Sequence, residues 1–182
     1  MSKIVHLLCA LALASVHVHA AVTEKNLHVL PANITAEADL LRQMAVMLRR
    51  SATFRQQCQR LDVRELRVQI HTDPLLADRP IRARSIIRRS ESGGFNALVA
   101  ISAFGDPTEW LAHEFEHIIE QLDGVRVPQL AFTGAAAWRT GEGMFETERA
   151  RRIGRLVRHE VYRADRTLAD ATASIETGGR GD

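Results

Sequence analysis

Residues 106–124 confine the fold of this chain more tightly than any other stretch. Asp106-Pro107-Thr108-Glu109 is a complete helix start. Asp106 is placed to cap, Pro107 sits where its missing N–H leaves no helical bond unmade, and Glu109 is spaced to complete a capping box. Gly124 is the stop. On a wheel of about 100° per residue, Leu111, Phe115, Ile118 and Leu122 gather on one side, which must face a core. His113 and His117 fall away from that stripe, so they require a second covering element or line a cleft.

His113-Glu114-Phe115-Glu116-His117 fits the pattern His-Glu-x-x-His. Imidazoles four residues apart on a helix point the same way, and both can reach one ion about 2 Å away. Glu114 lies about 100° round from His113, beside the ion, where a carboxylate can accept a proton from ion-activated water. Zn(2+) suits this set, because it binds imidazole well, has no redox chemistry and lowers the pKa of water toward neutrality.

Two histidines do not complete such a site. Glu120, Gln121 and Gly124 occupy the stretch where a third histidine would follow, and the next histidine is His159. A last long helix is expected over residues 141–170. On its wheel Glu146 heads a stripe of Ala150, Ile153, Val157, Val161, Ala164 and Leu168, whereas Glu148 and His159 point outward. A carboxylate at the end of an apolar stripe is costly unless it is paired or bound to a metal. Glu146 is therefore the leading third ligand. Glu142, one turn earlier on the same side, is the reserve, and Glu160 is near the stripe but about three to four turns further along the helix. A buried salt bridge from Glu146 to Arg82, Arg84 or Arg149 is the competing structural reading.

Residues 1–20 read as a secretory signal. Lys3 is its positive start, Leu7 to Ser15 its apolar stretch, and Val18-His19-Ala20 a small-residue cleavage site before Ala21. That stretch is far short of the roughly 20 residues that span a bilayer. The expectation is a periplasmic or secreted protein with no stable membrane insertion after cleavage. Leu7 and Leu8 before Cys9 do not fit a lipidation site. Cys58 is then the one cysteine left, which excludes an intrachain disulfide and a cysteine-rich metal site. Lys and Arg number 24 against 22 Asp and Glu, a balance that speaks against a nucleic-acid surface.

Residues 21–170 read as one domain and 171–182 as a flexible tail of Gly and polar residues. Residues 34–59 carry Leu40, Leu41, Met44, Met47, Leu48 and Phe54 at helical spacing, with Asn33 or Thr35 as cap. Strands follow at Val63 to Ile70, ending at Asp73-Pro74, and at Arg84 to Arg89. Gly93-Gly94 turns into a third strand, Phe95–Ser102. Residues 125–140 read as a linker. The expected fold class is α+β: a small, mainly antiparallel sheet with a long N-terminal helix, a zinc-motif helix and a long C-terminal helix.

With His113, Glu114, His117 and Glu146 in this order, the chain resembles the zincin metallopeptidases, most nearly their glutamate-zincin branch. The stretch from His113 to Gly124 with Phe145-Glu146-Thr147-Glu148-Arg149-Ala150 is also similar to small exported bacterial proteins without assigned function. The resemblance covers roughly residues 95–161. It implies His113, His117 and Glu146 as zinc ligands, Glu114 as the residue that activates water, and Phe95–Ser102 as the edge strand that pairs with an extended peptide. Ala150 stands where that branch usually has an acidic residue orienting a ligand. Tyr162 and His159 are the candidates for steadying an oxyanion. Trp110 and Trp138 line a cleft or serve as packing. The expected partner is a peptide or protein substrate of a zinc-dependent peptidase. The alternatives are a non-catalytic zincin-like structural or partner-binding domain, and a metal-free helical domain.

Overall fold

The computed structural model describes residues 29–77, 81–91, 93–141 and 143–178, with side chains as far as residue 164. The signal pattern and the reserve ligand Glu142 lie outside the described residues. Among those residues no helix is long and apolar enough to cross a membrane.

Residues 34–59 form three elements rather than one helix. Strand β1 (Ile34–Ala36) comes first, then α1 (Ala38–Arg50) and α2 (Ala52–Leu61). Asn33 does not cap a helix. Its amide donates to the carbonyls of Leu61 at 2.8 Å and Leu66 at 3.2 Å, fastening β1 to the turn that leads into β2 (Leu66–Asp73). The Thr35 hydroxyl donates to Val68 O at 3.3 Å. Leu40, Met44, Met47 and Leu48 of α1 are buried, as their spacing requires. The break comes at Ser51, whose extended backbone ends α1 and whose hydroxyl accepts the Phe54 N–H at 2.9 Å to cap α2. Glu160 accepts from the Ser51 and Thr53 hydroxyls and from the Thr53 N–H. The break is thus held from a distant helix, which local periodicity cannot register.

The sheet order is β1-β2-β4-β3, with β3 spanning Ala83–Arg89 and β4 Phe95–Ser102. Strands β1 and β4 run parallel to β2, and only β3 is antiparallel to its neighbour. The expectations of a mainly antiparallel sheet and of Phe95–Ser102 as an edge are both corrected. The tight turn at Gly93-Gly94 does make β3 and β4 antiparallel, but β4 takes the interior slot. The physical reason is pairing on both edges: β4 bonds β2 on one side and β3 on the other, and it buries Ala97, Val99 and Ile101 on its core face, while Asn96 and Leu98 on the opposite face stay exposed. Strand β3 carries Arg84, Arg88 and Arg89, has no fully buried residue, and suits an edge.

One face of the sheet joins α1, α2 and α3 (Pro107–Leu122) in a single apolar core, in which the Phe54 and Phe115 rings stack 5.4 Å apart. Cys58 is buried in this core, and burial pushes its thiol up to about 12, so it is an inert packing residue. Helix α3 begins as its sequence dictates, with the Asp106 carboxylate accepting the Thr108 N–H at 3.0 Å. The capping box expected of Glu109 is corrected: its carboxylate accepts from Arg158 of the last helix at 3.2 Å.

Residues 125–140 are structured rather than a linker. They hold α4 (Val127–Thr133) and the start of a hairpin made by β5 (Ala137–Gly141) and β6 (Met144–Thr147). The last helix, α5 (Glu148–Gly178), starts later and runs longer than its periodicity implies, so Glu146 lies on β6 rather than on a helix. Helix α5 runs antiparallel against α3: Thr147 meets Glu120, Arg149 meets Glu116, and Tyr162 meets Asp106. Gly154 sets the approach of the two helices. A Cβ there would lie 2.8 Å from Glu109 O and 3.2 Å from the His113 Cβ, a spacing that only glycine tolerates without displacement.

Candidate metal centre

Helix α3 presents His113 and His117 from successive turns, with ring centroids 4.8 Å apart and the rings nearly perpendicular. Leu111, Phe115 and Ile118 anchor the opposite side of the helix in the core, so the imidazoles face the β5–β6 hairpin and the start of α5. From β6, Glu146 Oε1 comes within 3.3 Å of His113 Nε2 and 3.5 Å of His117 Nε2. One ligand atom from each residue lies within 4.8 Å of the others, forming a three-residue cluster that can hold a metal ion. Ligand bonds of about 2.0–2.1 Å at tetrahedral angles place neighbouring donor atoms about 3.3 Å apart. Both carboxylate-to-imidazole separations match that figure, so Glu146 is placed to share one ion with each histidine. None of the competing arginines meets Glu146. Arg82 donates to Ala77 O, Arg84 pairs with Asp73, and Arg149 pairs with Glu116 and Asp123. Glu160 is the α2 clip, and Glu148 is exposed and paired with Arg155.

A second ring of contacts holds the cluster. The buried Glu120, 2% exposed, receives the His117 Nδ1 at 2.9 Å through Oε2 and the Thr147 hydroxyl at 2.8 Å through Oε1. The Thr147 hydroxyl also accepts the Ala150 N–H at 3.0 Å, capping α5, while the Thr147 N–H donates to Glu146 Oε1 at 2.8 Å. One carboxylate therefore links the helix bearing the histidines to the strand bearing the glutamate. The Nδ1 contact with Glu120 leaves His117 Nε2 as the ring atom that faces the cluster. Sequence reasoning passed over Glu120 and Thr147. The signal for Glu120 was local, since it lies three residues after His117 on one helix face. Thr147 had none, because its role depends on where the hairpin lands.

The charges differ sharply over a few ångströms. Burial disfavours the cation at His117, but hydrogen bonds to Glu120 and Glu146 and the charge of Glu114 outweigh it and push the ring up to about 10. Burial dominates at His113 and pushes it down to about 4. Burial opposes the charge on Glu146, yet the two histidines and the Thr147 N–H bring its carboxyl below the ordinary range. Glu114, 4% exposed, lies on the sheet side of α3, where it is hydrogen-bonded to the Ser85 hydroxyl of β3. Burial raises its carboxyl above the ordinary range against that bond and the charge of His117.

The remaining candidates separate cleanly. The Tyr162 hydroxyl donates to Asp106 at 2.6 Å, at the far end of α3, and His159 is exposed on α5. Trp110 packs against Gly105 and the core. Trp138 lies directly across the hairpin from Glu146. Comparison of the chain with protein-family models, with curated proteins and with solved structures returns no match.

Proposed function

We propose that this chain is a zinc-dependent peptidase of the zincin kind, with His113, His117 and Glu146 as ligands and Glu114 as the base that activates water. The observation that carries the reading is the single Glu146 oxygen set 3.3 and 3.5 Å from two imidazole nitrogens of another element. When bound, zinc supplies the Lewis acidity that makes water a nucleophile near neutral pH. Glu120 keeps the Nδ1 proton on its own side of His117, and the Thr147 N–H keeps Glu146 aimed inward. Glu114, with its proton affinity raised by burial, takes a proton from the attacking water and returns it to the leaving amine. Of the two sheet edges, β1 and β3, it is β3 that touches Glu114, through Ser85, so an extended peptide adds to β3 rather than to β4. Export to the periplasm or medium is part of the same proposal and rests on the residue 1–20 pattern.

A non-catalytic, zincin-like role draws support from one observation: Tyr162 is engaged by Asp106 and so is held away from the cluster. One set of measurements separates the readings. Metal analysis should find about one zinc per chain, lost when His113 and His117 are both changed to Ala. Glu114→Gln should keep the zinc while abolishing hydrolysis of a peptide mixture followed by mass spectrometry. Bound zinc with no hydrolysis in the parent chain would favour the non-catalytic role, and a chain that refuses zinc would remove both.

A further inference from the structure

The proposed reaction leaves one cation beside the cluster without a task. On α5, Arg149, Arg155 and Arg158 each meet a carboxylate. Arg151, exposed on the same helix, has no carboxylate partner among the described residues; its guanidinium lies over the Trp138 ring, 5.4 Å from the centroid. Trp138 and Glu146 are direct partners across the β5–β6 hairpin. Side chains paired in this way leave the hairpin on the same face with Cβ atoms about 5 Å apart. Trp138 therefore shares its face with the carboxylate that meets both histidines, and Arg151 is laid over that platform. Its charge is felt at His113.

We propose that Arg151, held on Trp138, is an anion subsite beside the His113–His117–Glu146 cluster, and that it receives a carboxylate of the peptide substrate. The inference rests on the metal-site reading above. A guanidinium that lies over a ring and meets no carboxylate has N–H groups to offer, in the fork that matches a carboxylate in bidentate fashion. The surrounding cluster carries Glu114, Glu120 and Glu146, which would repel an anionic substrate, and an arginine at its rim without a carboxylate partner among the described residues offsets part of that repulsion. The same carboxylate chemistry is offered by the free C-terminus of a peptide and by an acidic side chain near the cleaved bond.

The test uses the full chain loaded with cobalt(II), whose visible spectrum reports ligands. Two thiol probes are titrated, 3-mercaptopropionate and its neutral amide 3-mercaptopropionamide. The acid should bind about tenfold more tightly than the amide, the scale of one charge-assisted contact. In Arg151→Met, which keeps an apolar side chain on Trp138, that preference should vanish while affinity for the amide is unchanged. Arg151→Lys should retain part of it. Equal affinity for the two thiols in the parent chain, or an unchanged preference in Arg151→Met, overturns the subsite and leaves the metal reading intact. A chain that takes up no cobalt overturns the metal reading itself. Competition against the acid probe then separates the two sources. A hexa-alanine with a free C-terminus is set against its amide, and a capped peptide with a central Glu against the same peptide with Gln. Preference for the charged member of the first pair assigns the subsite to a C-terminus, and of the second to a side chain. No preference in either pair overturns the substrate claim.

Discussion

The two polar seams of helix α3 use the same residue types to opposite ends. On one side Glu116, 4% exposed, accepts from Gln57 at 2.8 Å and from Arg149 at 2.6 Å, while Arg149 also reaches Asp123, which is held in turn by Arg60. Every charge there has an opposite partner, and nothing is left to bind. On the other side ligand atoms of His113, His117 and Glu146 come within 4.8 Å of one another, backed by Glu120 and Thr147. The lesson is that burial of charge on a helix does not by itself mark a functional site. What separates the two is whether a fixed cation already sits among the carboxylates, as Arg149 does in the first seam.

Changing Glu146 to Gln should have the largest effect. The amide keeps the shape and loses the charge, and zinc affinity measured by chelator competition should fall more than about a hundredfold, beyond the cost of an outer contact. Glu148→Gln, exposed two residues on, should leave affinity unchanged. Equal effects of the two substitutions would erase the distinction between the seams. Glu120→Gln should weaken zinc by about tenfold to a hundredfold, as loss of a histidine's outer partner does. Full zinc affinity in that variant would reduce Glu120 to a packing residue.

The protonation states give a third comparison. At neutral pH the metal-free chain holds His117 as a cation, because its folded value near 10 exceeds the ordinary one, while His113 stays neutral near 4. Zinc must displace one proton, from His117. Apparent affinity should therefore rise about tenfold per pH unit through the neutral range and level off as pH approaches 10. In the metal-free chain the sign is reversed. The stabilisation from charged His117 is fully present below its unfolded value of 6.5 and is lost as pH rises through about 10, which a melting series can follow. A zinc affinity independent of pH between 6 and 9 would contradict this arrangement.

The smallest effect on metal belongs to the other seam. Glu116→Gln should leave zinc affinity unchanged and cost about 2 kcal/mol of folding stability. That is below the figure for a fully buried pair, because Arg149 is partly open to water. Denaturant melts of the metal-free chain measure the cost, and a parallel fall in zinc affinity would show that the seams are coupled.

What the sequence determined on its own is what depends on near neighbours. The cap at Asp106, the four-residue spacing of His113 and His117, the apolar side of α3, and the Gly93-Gly94 turn all act within a few residues, and the structure repeats each of them. Ser51 illustrates the limit: its capping chemistry is local, but the helix break becomes firm only because Glu160 arrives to accept its hydroxyl. Which strands lie side by side is further out of reach. Pairing β4 with β2 in parallel, and leaving β3 as an edge, depends on segments far apart meeting, and the free energy of that choice resides in the burial of Ala97, Val99 and Ile101 against the helices. Glu146 shows the division most clearly. A helical wheel singles it out as a carboxylate too costly to leave unpartnered, yet it stands on β6. Its carboxylate reaches the two histidines because a hairpin sets its register against Trp138 and a threonine cap turns the chain into α5. The need for a partner was written in the residue, and the partner was chosen by the fold, because only tertiary packing brings an element formed after Gly124 back across α3.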